Sequence, residues 1–304
     1  MIDSDDRGTT VARFFDAIVH SKAVPWPELQ ELLEKATVIV ADNVAEYFYS
    51  GTDQDYWSLE TDFPNLAPPF ELFFLEWREP SYFVARGLGR QRIHSRRRNG
   101  ALFVCVESDE VGDAEAARGC RWVENIWLWT ESERAVELLG LMRIKVGPEG
   151  SPVRFSDEGY FVASPNPELR TQPPAELFLS LAQPALLTVC FLHCKNVHIE
   201  THTPPPAVAK KHRLRYGRPP VTYKTLVIDP LTKVLRNEGK AEEVGLRKAL
   251  HICRGHFKRF EERPLFGKYK GMWWWESQLR GSLQHGYIKK TYEVHPPKKD
   301  GPEH

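Results

Sequence analysis

The chain has 304 residues, 41% of them hydrophobic, enough to bury one large core or two ordinary ones and to exclude disorder of the whole chain. Its cysteines, Cys105, Cys120, Cys190, Cys194 and Cys253, are odd in number and scattered, which argues against the disulfide framework of a secreted domain and predicts a reducing compartment, the cytoplasm. Net charge is zero, yet residues 1–180 hold 18 Lys and Arg against 30 Asp and Glu, while residues 181–304 hold 23 against 11. Such a division points to a polyanionic partner, or to attraction between the two parts.

The first segment, MIDSDDRGTT, is acidic and lacks the apolar stretch of a signal sequence. Val11, Phe14, Phe15, Ile18 and Val19 recur at helical spacing after Thr9 and Thr10, and Leu29, Leu32 and Leu33 follow the prolines of PWPEL, so the first 50 residues read as helical. Residues 53–69 read as loop. Aromatic and β-branched runs then predict strands at 70–77, 82–86, 101–108, 121–130, 136–146 and 159–163. Short polar turns separate them, which favours an antiparallel sheet, and helices are too few between them for βαβ units. The arginine-rich RQRIHSRRRNG at 90–100 is an exposed hairpin or loop on this reading.

Near residue 165 the texture changes: PNPELRTQPPAE carries prolines and no apolar periodicity. The boundary expected there separates an acidic α+β region, 1–165, from a basic α+β region, 166–304. Residues 176–196 are apolar nearly all round, as a helix buried in a core would be, with Pro184 as a kink or break. No apolar stretch reaches the roughly 18 uninterrupted residues of a membrane span, so no membrane partner is expected. VHIETH predicts a short strand, PPPAVAKKHRLRYGRPP a basic loop or short helix, and 223–229, 245–260 and 286–294 further strands. The fold class expected is therefore α+β, mainly antiparallel, with an N-terminal helical segment and one buried central helix.

Two clusters carry candidate chemistry. In CFLHCKNVHIETH, Cys190, His193 and Cys194 would share a helical face at i, i+3 and i+4, and thiolate with imidazole is a zinc-binding combination. Their spacing fits no paired CxxC finger, and the other reading makes the two cysteines small core residues. Zinc is the one cofactor considered; otherwise none is expected. In the second cluster, HICRGHFKRFEERPLFGKYKGMWWWESQLRG, cations and rings alternate. Lys258, Arg259, Lys268, Lys270, Trp274 and Arg280 are nucleic-acid-binding candidates, because cations meet phosphates while ring faces stack on bases. His251 and His256 could act as general acid and base in metal-independent RNA cleavage, with Arg254 stabilising the developing charge. Alternatively the tryptophans are core and the cations a solvated face. Arg280 and His285 have the Arg-x4-His spacing of HEPN ribonucleases, but the adjoining Gly281 and Gly286 argue against the helix such a site needs.

The blocks LLTVCFLHCKN, KKHRLRYGRPP, ALHICRGHFKRF, PLFGKYKG, WWW and QLRG, over about residues 180–295, resemble uncharacterised proteins of phages and prophage-bearing bacteria. The resemblance implies a role in a mobile element or in bacterial defence, and transfers no catalytic residue. The basic C-terminal strands are also similar in style to RelE-like and barnase-like ribonuclease toxins. The function expected is nucleic-acid binding, RNA or DNA, with toxin-like RNA cleavage; the alternative is a non-catalytic interaction protein that forms a homo-oligomer.

Overall fold

The computed structural model describes residues 13–21, 24, 26–50, 63–79, 82–84, 90–92, 97–108, 119–131, 135–153, 161–163, 174–229, 249–253, 256–275, 278–280 and 282–287. The chain forms two units, residues 1–229 with 257–273, and residues 230–256 with 274–304. Its architecture is α+β.

The first unit is built on an eight-stranded sheet: β1 (Thr37–Val40), β2 (Leu72–Arg78), β5 (Arg98–Glu107), β6 (Trp122–Glu131), β7 (Val136–Val146), β8 (Phe161–Ala163), β9 (Val197–His202) and β10 (Tyr223–Ile228). A separate pair, β3 (Tyr82–Val84) and β4 (Arg90–Arg92), lies between β2 and β5 in the chain. The order across the large sheet is β8-β7-β6-β5-β2-β1-β10-β9. Every neighbouring pair is antiparallel except β1 with β2 and β1 with β10.

The helices of this unit are α1 (Arg13–Val19), α2 (Pro27–Lys35), α3 (Asp42–Ser50), α4 (Pro174–Leu192) and α5 (Pro206–Tyr216). Two sequence expectations change here. Thr37–Val40, read as part of a helical N-terminus, is a central strand; a four-residue β-branched run is too short for periodicity to classify. With α3 it makes β1–α3–β2 a βαβ connection between parallel neighbours, the unit that the scarcity of helices had argued against. Residue 165 falls between β8 and α4, and the sheet pairs strands from both sides of it.

The sheet is covered on both faces. Leu72, Phe74 and Glu76 alternate toward α1 and α2, where Phe14, Phe15, Ile18, Leu29 and Leu33 form one core with Val38, Leu102 and Trp129. The Phe15 and Phe74 rings meet edge to face at 5.1 Å. Gly100 belongs to this layer because a Cβ there would collide with the Phe74 ring and crowd Phe14. On the opposite face Phe73 stacks on Phe103 at 4.5 Å, and Phe73, Leu75, Phe103 and Ile126 are fully buried. Two-sided burial explains the unbroken apolar run of β2. α4 contacts β2, β8 and β9, and its residues 182–191 are buried, as its all-round apolar sequence predicts. Pro184 lies inside the helix, and its carbonyl accepts a 2.8 Å bond from the Thr188 hydroxyl.

A hairpin of β12 (His256–Leu265) and β13 (Tyr269–Trp275) follows. Within the first unit it docks at the end of α4: Phe257 meets Phe191 edge to face at 5.3 Å, and Lys195 N–H donates to Met272 O at 2.8 Å. The second unit contains β11 (Ala249–Cys253), β14 (Gln278–Arg280) and β15 (Ser282–Tyr287), in the order β14-β11-β15. β11 runs antiparallel to β14 and parallel to β15. Among the described residues, no helix is long and apolar enough to cross a membrane.

Candidate nucleic-acid interface

A strongly cationic described surface is α5, a helix the sequence left between loop and helix. Pro206 sits at its first turn and Gly217, at φ 75°, closes it in the left-handed region, its N–H bonded to Arg213 O at 2.9 Å. Its sequence, PAVAKKHRLRY, holds four Lys and Arg and no carboxylate, and no residue of the helix is buried. At about 100° of rotation per residue, Arg213, Lys210, Lys211 and Arg215 span an arc of roughly 200° centred on Leu214. The exposures follow this arc: all four cations are exposed, and Leu214 is 81% exposed. Among the described residues, none of the four cations is in an ion pair.

The opposite side of α5 is moored to α1. Asp16 is 7% exposed; its Oδ2 lies 3.0 Å from His212 Nε2 and its Oδ1 accepts from Arg218 Nη2 at 3.3 Å. His212 Nδ1 lies 2.9 Å from Arg218 O, so both ring nitrogens face oxygens. Arg218 Nε donates to His20 Nε2 at 3.3 Å, and the His20 ring stacks on Tyr216 at 4.8 Å. Burial raises the Asp16 carboxyl above its ordinary range, against the opposing pull of His212, Arg218 and His20. Burial, with Arg218 and His212, lowers His20, which suits a ring nitrogen that accepts a hydrogen bond. Tyr216 is thus occupied by His20, by His212 at 4.6 Å and by the Arg215 guanidinium at 5.2 Å.

The sequence placed its nucleic-acid candidates on the C-terminal cluster, and those within the described residues differ in exposure. Lys268 and Lys270 are exposed near the hairpin turn, Lys268 with its Nζ 5.1 Å from the Tyr269 ring. Arg259 is exposed but shares the strand with Glu261, 3.9 Å away, and with exposed Glu262. Lys258 is half-buried, and Trp274 is only 3% exposed, so its ring faces point into the protein rather than toward a base. His256 is exposed at the start of β12. His251 lies in β11 opposite Arg280 of β14; Arg254 lies outside the described residues. The stretch from Arg280 to His285 runs through β14 and β15, not a helix.

The Cys/His cluster has a structural employment. α4 ends at Leu192, so His193 and Cys194 lie in tightened turns beyond it and the three residues do not share one helical face. The Cys190 sulfur accepts the Asn65 N–H, and burial pushes its thiol up to about 12. His193 Nε2 lies 2.7 Å from Ala67 O; burial first, and nearby Arg259, lower its pKa. Cys194 is buried, with its thiol raised by burial and directed at Cys190 O, 3.6 Å away. These contacts pin the 63–70 segment, which is tied again by Leu66 N–H to Gly150 O at 2.7 Å. Burial disfavours the thiolates a zinc ion needs. Among the described residues, no group of three or more His, Cys, Asp or Glu is arranged to hold a metal ion.

Sequence reasoning passed over two buried carboxyls. Glu124, on β6, is fully buried beside Cys105 with neither oxygen hydrogen-bonded, and burial raises its pKa well above the ordinary value. Glu76, on β2, accepts the Phe15 N–H at 2.8 Å and is pushed up to about 8, chiefly by burial. Both are in phase with apolar strand neighbours, Glu76 with Phe74 and Glu124 with Ile126, and the two-sided burial of the sheet carries them inside. No protein-family model matches the chain, and no curated protein or solved structure gives a significant match.

Proposed function

We propose that the protein binds duplex nucleic acid, with α5 as its contact surface. The carrying observation is a solvent-facing helix with four exposed cations, no carboxylate and no ion pair among the described residues, in a chain whose net charge is zero. An 11-residue helix is about 16 Å long and fits a major groove roughly 12 Å wide, where Lys and Arg meet phosphates and Leu214 offers an apolar tip. Tyr216, 38% exposed, already stacks on His20 and lies against His212, which limits the ring face left for unpaired bases and favours the duplex. A membrane surface suits it less, because an interfacial helix needs an apolar face and α5 has none. A role in a phage, mobile element or defence system rests on the sequence resemblance alone.

The test is binding of the full chain to labelled duplex DNA and single-stranded RNA across a salt series. Replacing Lys210, Lys211, Arg213 and Arg215 by alanine should abolish tight binding and reduce the log–log salt slope on duplex DNA by about 0.9 for each phosphate no longer neutralised. Unchanged affinity and slope in that variant would overturn the proposal. RNA cleavage is scored in the same samples with EDTA: metal-independent cleavage that disappears in His256→Ala would support the second reading, a ribonuclease whose working residues include His251, Arg254 and His256.

A further inference from the structure

β9 is an edge strand with little of the usual protection, Glu200 being its one carboxylate. Among the described residues no strand pairs with its outer side, and His198, Ile199, Glu200 and Thr201 are all exposed, Ile199 at 45%. Natural edges are guarded by lysine, proline, a bulge or shortness. β9, VHIETH, has no lysine or proline, pairs with β10 through six residues without a register shift, and is twice the length of β8 at the other edge.

The pattern on this edge is self-complementary. Ile199 lies opposite Leu226, on the face of the sheet that carries Leu75 and Phe103, whereas His198, Glu200 and His202 lie on the other face, where His202 stacks on Tyr223 at 5.1 Å. If a second β9 runs antiparallel about a two-fold axis perpendicular to the sheet, paired residues must share a face, so only even shifts of register are allowed. Centred on Ile199, the pairing sets Ile199 against its copy, Val197 against Thr201, and His198 against Glu200 twice. Shifting the centre to His198 opposes histidine to histidine; shifting it to Glu200 opposes carboxylate to carboxylate. Of these registers, the one centred on Ile199 alone opposes unlike polar groups, histidine to carboxylate, while keeping an apolar pair at its centre.

We propose that two copies of the chain join antiparallel through β9, centred on Ile199, to form one continuous sheet. The pairing is isologous and closes as a dimer. α5 begins four residues after β9 ends, so the two-fold axis relates two cationic helices on one assembly. That consequence rests on the nucleic-acid reading; the dimer does not.

Analytical ultracentrifugation of the full chain without nucleic acid tests it. A strand edge is a small interface, so the wild type should be a reversible dimer with a dissociation constant on the order of micromolar. His198→Glu sets carboxylate against carboxylate, and Glu200→Lys sets lysine against histidine; each should weaken the dimer about tenfold. An equimolar mixture of the two variants sets the introduced carboxylate against the introduced lysine at one contact, keeps the native His198–Glu200 pairing at the other, and should dimerise again as a heterodimer. Circular dichroism checks that these surface variants are folded. The proposal is overturned by a wild type that stays monomeric about 100-fold above the micromolar range, by a larger open assembly, by variants that dimerise like the wild type, or by a mixture that stays monomeric. The alanine variant of α5 should remain dimeric, which separates failure of the dimer from failure of nucleic-acid binding.

Discussion

Replacing Glu76 with glutamine should remove a large part of the pH dependence of stability. The carboxyl is 8% exposed and bonded to the Phe15 N–H at 2.8 Å. Burial is the main cause that moves it from 4.5 to about 8; the Phe15 bond and Arg98 oppose the shift, while Asp42 and Asp16 add to it. Between those values the folded state holds a proton that the unfolded state has released, so stability is full below about pH 4.5 and is lost as pH rises toward 8. The slope is about −1.4 kcal/mol per pH unit, on the order of several kcal/mol over the whole window. Glutamine keeps an oxygen for the Phe15 N–H and cannot titrate. Urea unfolding of wild type and Glu76→Gln at pH 5, 6, 7 and 8 should show the wild type losing about 1.4 kcal/mol per unit relative to the variant. Glu124 shifts in the same direction in both proteins and cancels in the difference. Parallel curves would refute the reasoning.

Glu124→Leu should stabilise the fold by about 1–3 kcal/mol at neutral pH, because it removes a buried carboxyl with no hydrogen-bond partner; a lowered urea midpoint would count against this. Asp16→Asn weakens the charge-assisted hydrogen bonds that hold His212 and Arg218, at a cost on the order of 1.5–3 kcal/mol. Amide exchange in α5 should accelerate more than in α4, and equal acceleration would show that Asp16 supports the fold generally rather than this mooring.

How far the fold was legible depended on whether local pattern and tertiary role agreed. β6 and β7 alternate and are long, and the strands expected at 121–130 and 136–146 match Trp122–Glu131 and Val136–Val146 closely. The run 176–196 read as a buried helix because it is apolar nearly all round, and residues 182–191 of α4 are buried. β1 was not legible: four β-branched residues beside two amphipathic helices carry no period, and only the flanking β2 and β10 make them a strand. At the site, the KK and RLR steps around His212 were visible as charge. Their exposure was not, because it depends on His212 and Tyr216 meeting Asp16 and His20, residues about 200 positions earlier. Within the cation and tryptophan cluster, nothing in WWW distinguishes a ring offered to a base from one buried like Trp274.

The division of charge along the sequence does not correspond to a division between acidic and basic bodies. α5 and most of the β12–β13 hairpin belong to the same unit as the acidic strands, so opposite charges had every opportunity to meet. At Asp16 they do, and the partners are His212 and Arg218, the inward side of α5 and the residue after its cap. Lys210, Lys211, Arg213 and Arg215 take no part in that pairing and remain on the outer arc. The inner side of α5 is thus paired with Asp16, which holds the helix in place, while its outer side stays turned to solvent. Salt should consequently weaken nucleic-acid binding well before it loosens α5, since exposed contacts are screened over about 10 Å at 0.1 M while the Asp16 pair, 9% exposed on both side chains with His212, is screened far less.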